Sequence, residues 1–174
     1  MALLASLGAA ALKPIVGIYI RLARGELERL RAHPEILPKY DPRVAITDGR
    51  GLDIGRAWEE LAVFVDGGVR VPDTGPTVGE VPLPHTDARA SWSLVEPERV
   101  AAMADTLDKL TREDFERHYE SDGVDTAEPL PGSLSGGYRD HASYLYQKLR
   151  QLARHYAAAA DAGEGMLVRI GERV

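Results

Sequence analysis

Residues Leu52–Gly68 read LDIGRAWEELAVFVDGG, an acidic residue followed by apolar positions at helical steps. Ile54, Trp58, Leu61 and Val65 are spaced by four, three and four residues. With 3.6 residues per turn these side chains share one face, so the spacing predicts a helix from Ile54 to Val65 with that face in the core. Asp53 then stands where its carboxylate can accept from the free N–H groups of the first turn, and Gly67 or Gly68 can close the last turn with a left-handed backbone. A tryptophan on such a stripe is read as a core anchor, and the aspartate as its cap. The rival reading puts Asp53 and Trp58 at the floor of a ligand pocket.

Working back toward the N-terminus, IVGIYIRL at Ile15–Leu22 is rich in β-branched and aromatic residues and follows Pro14, a residue tolerated where a strand begins. It is the predicted first strand. Leu27 and Leu30 mark a helix from about Gly25 to Ala32, ended by His33-Pro34 because a residue before proline is steered out of the helical region. A further short turn is expected over Pro34 to Tyr40. The opening MALLASLGAAALK is apolar, but no basic residue precedes the run and it is shorter than the roughly 20 residues that span a bilayer. Residues 1–14 are therefore read as an N-terminal extension and 15–174 as a single domain.

Working forward, Gly67 to His85 is interrupted by glycine and proline, with short strands expected near Val69 and Val78. Ala90–Val95 is a weakly alternating strand, and Pro97 suits the first turn of a helix running to Leu110 with Val100, Met103, Ala104, Leu107 and Leu110 inward. Thr111 and Asp114 form a capping box for a helix to about Tyr119. Ser121 to Gly137 is a polar loop. The longest helix is expected from Tyr138 to Asp161, since Tyr138, Ala142, Leu145, Leu149, Leu152, Tyr156 and Ala159 or Ala160 recur at four- and three-residue steps. Gly163 is a left-handed stop, and Met166 to Ile170 a closing strand. This order of elements predicts an α+β domain: a small mixed or antiparallel sheet packed against several helices.

The 174 residues are 44% hydrophobic and 28% charged, the balance of a soluble globular chain rather than a disordered or membrane one. A formal charge of −6 repels phosphate backbones and anionic lipid, so neither nucleic acid nor a membrane is an expected partner. Cysteine is absent, which excludes disulfides and thiolate chemistry and agrees with a cytoplasmic location.

Five histidines, His33, His85, His118, His141 and His155, include no H-x-x-x-H pair. His141 and His155 would stand about 21 Å apart along one helix, too far for one ion, and no metal or other cofactor is expected. Asp114 and His118 lie one turn apart and read as a surface pair. Gly132 to Gly136, GSLSG, has Leu134 where a nucleophile elbow needs serine, and it lacks the lysine of a phosphate loop. Tyr144 and Tyr146 fall off the centre of the buried stripe of the long helix and are the interface candidates.

Four blocks of the chain resemble the YfbM-like family of small bacterial proteins, a domain of unknown function. They are the Gly17 and Tyr19 strand with its leucine-rich helix, the Leu52-Asp53…Trp58 segment, the paired helices from Pro97 to Tyr119, and the long helix closing in a glycine-bounded strand. The resemblance runs from about Ile15 to Ile170 and implies an α+β domain; it brings no reaction, substrate or catalytic residues. The expected function is a non-catalytic binding or protein-interaction module, a neutralising partner of another protein being one form, with the oligomeric state open. The alternative is an enzyme or small-ligand-binding protein whose pocket gathers Tyr19, Asp53, Trp58 and a histidine.

Overall fold

The computed structural model of the chain describes residues 14–66, 74–84, 89–121 and 138–173. Strand β1 (Ile15–Leu22) leads into α1 (Arg24–Ala32), a 3-10 turn (Pro34–Lys39) and a short α2 (Pro42–Thr47). Strand β2 (Gly51–Gly55) and helix α3 (Ala57–Asp66) follow, then β3 (Val81–Pro82), β4 (Ala90–Val95), α4 (Pro97–Lys109), α5 (Arg112–Ser121), α6 (Tyr138–Ala162) and β5 (Gly165–Glu172). The sheet has the order β2-β1-β5-β4-β3, and every pairing in it is antiparallel. The fold is α+β.

Alternation along β1 sorts the molecule into two cores, because successive strand side chains point to opposite faces. Val16, Ile18, Ile20 and Leu22 meet Leu27, Leu30, Leu37 and Ala45 of the α1–α2 segment on one face, with Trp92 and Leu94 of β4. Tyr19 faces the other side, where α6, α4, α3 and α5 supply the larger core. The long periodic segment does what its spacing predicts: Ala142, Leu145, Leu149, Leu152, Tyr156 and Ala159 are all buried. Each fully buried leucine contributes roughly 1.5–3 kcal/mol relative to exposure. Arg169 is the one arginine among the buried described residues; it lies 5.6 Å from the centre of the Trp92 ring and donates to the Glu172 carbonyl at 2.9 Å.

The helix expected from Ile54 starts later than its spacing suggests. Leu52, Asp53 and Ile54 belong to β2, where Leu52 and Asp53 pair with Tyr19 and Ile18 of β1 and Ile54 stands at a break in the register, and Gly55 turns the chain at φ +64° before α3 begins at Ala57. A left-handed residue cannot sit inside a right-handed helix, so the helical period and the strand meet at this glycine. Ile54 is buried all the same, from a strand. Asp53 therefore caps no helix; its carboxylate accepts the Gly55 N–H at 2.6 Å and fixes the turn. Helix α2, capped by Asp41 through the Arg43 N–H at 2.8 Å, was not anticipated because six residues carry too little periodicity.

Other local expectations agree with the structure. Thr111 and Asp114 bond reciprocally across the first turn of α5. Gly163, at φ +64°, ends α6 with its N–H on Ala160 while Glu164 N–H reaches Ala159. The cap residue of α1, Ala23, has no side-chain acceptor, and only the Glu26 carboxylate reaches back, to the Ala23 N–H at 3.2 Å. Val78 lies in a tight loop closed between Gly75 and Gly79, and β3 comes three residues after it. The readings for residues 1–13, Gly67, Gly68, Val69, His85, residues 122–137 and the side chains of His118 and Tyr138 lie outside what is described.

Candidate functional site

Tyr19 and Tyr156 spend their hydroxyls on one loop. Both side chains are fully buried; Tyr19 donates to the Thr77 carbonyl at 2.8 Å and Tyr156 to the Pro76 carbonyl at 2.7 Å. Burial pushes both phenols above their ordinary range, so they remain protonated donors. The loop they hold is pinched by reciprocal backbone bonds between Gly75 and Gly79, and Thr77 is buried inside it. Behind Tyr19, His155 on α6 stands 3.1 Å from the Tyr19 backbone carbonyl. A carbonyl only accepts, so Nε2 of the neutral ring carries the proton. Burial, reinforced by Arg21, holds this imidazole down to about 4, against the Tyr19 carbonyl and Glu164, which favour the charged form. Arg21 itself bonds Glu164 at 2.7 Å.

Trp58 is half-buried against the larger core. Its Cβ presses on Gly17, where an added methyl would come within 2.7 Å of it. Gly17 and Trp58 are thus fitted to each other across β1 and α3, while the Tyr19 hydroxyl lies just beyond.

A polar shelf forms where β2 turns into α3 beneath the first half of α6. Glu60 of α3 meets Nε2 of His141 at 2.7 Å, with both side chains more than two-thirds covered. The His141 ring lies 6.3 Å from that of Tyr144, one turn along α6, and the Lys148 ammonium stands over the Tyr144 ring, 5.8 Å from its centre. At the turn, Asp53 faces the Arg173 guanidinium at 3.6 Å. A methyl added to Gly55 would have only Arg173 and the Tyr144 hydroxyl within 4 Å, at 3.8 and 4.0 Å, so the backbone is bare there. Burial and the carboxylates Glu60 and Asp53 raise the Tyr144 phenol above its ordinary value, with Arg173 opposing. It is a neutral donor, and its hydroxyl makes no hydrogen bond among the described residues.

The structure brings Asp53 and Tyr144 to one shelf and leaves Tyr19 inside the core. Tyr146 goes elsewhere, its ring edge-on to Phe115 at 6.0 Å, which stacks on Phe64 at 3.7 Å. Two residues along a helix are about 200° apart, so adjacent-looking tyrosines face different neighbours. Among the described residues no three acidic or imidazole groups are placed to hold a metal ion, and no helix is long and apolar enough to cross a membrane.

A family model described as "Domain of unknown function (DUF1877)" matches residues 15–169. The chain belongs to this family. Among solved structures it is similar to a protein of unknown function, YfbM from Escherichia coli, with a TM-score of 0.57 and 19% identity over 89% of this chain and 99% of that one. At that identity the likeness concerns the fold. A comparison with curated proteins finds no match.

The residues that sequence reasoning missed are Glu60 and His141 as its partner, both within the DUF1877 match, and Arg173 just beyond it. Glu60 sits on α3 and His141 on α6, 81 positions apart, and Arg173 follows the last strand. No spacing rule links positions so distant; the one local signal is the glycine after Asp53, which marks a turn rather than a helix.

Proposed function

We propose that the chain is a non-catalytic protein-interaction module that meets its partner at the shelf around Tyr144. The observation that carries this is a half-covered phenol with an unspent hydroxyl, facing bare backbone at Gly55 between Asp53 and Arg173. Tyrosine and arginine dominate the energetics of protein interfaces, and a half-covered ring loses little freedom on docking. A phenol held above its ordinary value stays protonated near neutral pH and can only donate or accept a hydrogen bond there, which favours recognition over proton abstraction. A cytoplasmic partner is part of the same reading, and neutralisation of that partner is the form it takes if binding blocks the partner's activity.

The test uses the full chain as bait in its native host, with a Tyr144→Ala variant alongside. Since a central interface tyrosine is worth about 2 kcal/mol or more, recovery of a specific partner should fall at least about tenfold with the variant. Equal recovery by both proteins removes the shelf from the interface.

A further inference from the structure

On the opposite face of the sheet, α1, the 3-10 turn and α2 enclose a groove of about 330 Å³. Its floor is apolar, made by Ile20 of β1, Ala45 of α2 and Ile36, with Val44 at the lip. Ile20 and Ala45 are buried, whereas Val44 is 52% exposed. Tyr40 forms one wall and packs on the smaller core.

The charges around this floor are unequally committed. Glu26 accepts the Ala23 N–H and faces Arg50 at 3.5 Å, and Asp41 is the cap of α2. Both lining acids are therefore occupied by the fold. Of the three lining cations, Arg50 is matched to Glu26, while the side chains of Arg29 and Lys39 make no hydrogen bond or ion pair among the described residues. A chain of net charge −6 thus carries a groove with more cations than acids, in which Arg29 acts on the Tyr40 phenol and Lys39 on Glu35 only through the field.

From this geometry we infer that the groove binds a small organic monocarboxylate with an apolar body, the body resting on Ile20, Ile36 and Ala45 and the carboxylate reaching Arg29 and Lys39. The volume suits this class: ligand sites begin at about 300 Å³, so the groove takes one ring or a short branched chain and little more. An apolar floor with a few charged groups at the edge is also the usual division of labour in such sites, burial supplying attraction and the ion contacts fixing orientation. Tyr40 strengthens the match, because its partly buried ring offers an apolar flank to the groove. The site is on the other face from the Tyr144 shelf and stands independently of it.

The experiment is a titration of the full chain with phenylacetate, followed by amide NMR shifts of Tyr40, Ala45 and Arg50. Phenylacetamide, of the same shape without charge, and inorganic phosphate, charged without an apolar body, are the controls. Phenylacetate should shift these amides saturably, phenylacetamide should bind about tenfold more weakly, and phosphate should not saturate the same resonances. The exposed pair Arg29→Ala/Lys39→Ala should lower phenylacetate affinity about tenfold, the loss expected on removing hydrogen bonds to a charged group. Val44→Asp, at an exposed lip, should weaken it through like-charge repulsion while the amide spectrum keeps the wild-type fold. Absence of saturation, equal binding of the amide, equal binding of phosphate, or unchanged affinity in either variant would each overturn the assignment.

Discussion

Gly17 shows how one missing methyl decides a contact. A Cβ there would lie 2.7 Å from the Trp58 Cβ, and the part of Trp58 in the way is its stem, which no rotamer change can move. Gly17→Ala should therefore cost about 1–3 kcal/mol, the range of core overpacking, read as a lower urea midpoint at unchanged slope. Asp53 makes the opposite point about a residue easily misread. Its bond to the Gly55 N–H survives in Asp53→Asn, and the Arg173 contact it loses is long and half-exposed, so that variant should change stability by less than about 1 kcal/mol. Asp53→Ala should cost about 1 kcal/mol, and the helical circular dichroism should stay the same, because the bond belongs to the turn. A marked loss of helix from Asp53→Ala would restore the capping reading.

At the scale of elements, the loop from Gly75 to Gly79 is held from beneath by Tyr19 of β1 and Tyr156 of α6. Tyr19→Phe leaves the Thr77 carbonyl without its donor in a buried position, and a lost bond of this kind costs roughly 1–3 kcal/mol. Hydrogen exchange should show faster opening of the Gly75 and Gly79 amides in Tyr19→Phe and in Tyr156→Phe. The double variant should fall short of the sum, since both bonds hold one loop. Additive losses would mean that the two carbonyls are held separately.

At the scale of the whole molecule, His155 ties global stability to pH. Its ordinary value is 6.5 and the folded protein holds it at about 4, so between these values the unfolded chain binds a proton that the native state refuses. Stability contributed by the neutral ring is complete above the unfolded value and is lost as pH falls toward 4, on the order of 3 kcal/mol over the window. Urea midpoints measured from pH 7 to 4 should decline for the wild type and flatten in that interval for His155→Gln. A parallel decline in both proteins would assign the loss to other groups. Asp114, held low chiefly by its bonds to Thr111, gives up its contribution only as pH falls through its own lower range, below this window.

What could be read from the amino-acid order was whatever repeats locally. The stripe of α6, the Thr111–Asp114 box, the Gly163 stop and the β-branched run of β1 each depend on neighbours within a turn or a pleat, and each forms as its spacing predicts. Pairing of β2 with β1 and the gathering of Asp53, Glu60, His141, Tyr144 and Arg173 depend on contacts across tens of residues, and only the folded chain decides them. Around Ile54 the two kinds of information conflict: a helical period of hydrophobes continues backward into the strand, but Asp53 and Gly55 on either side of Ile54 pair with Ile18 and Gly17 of β1, and the sheet edge offers partners that a helix start lacks.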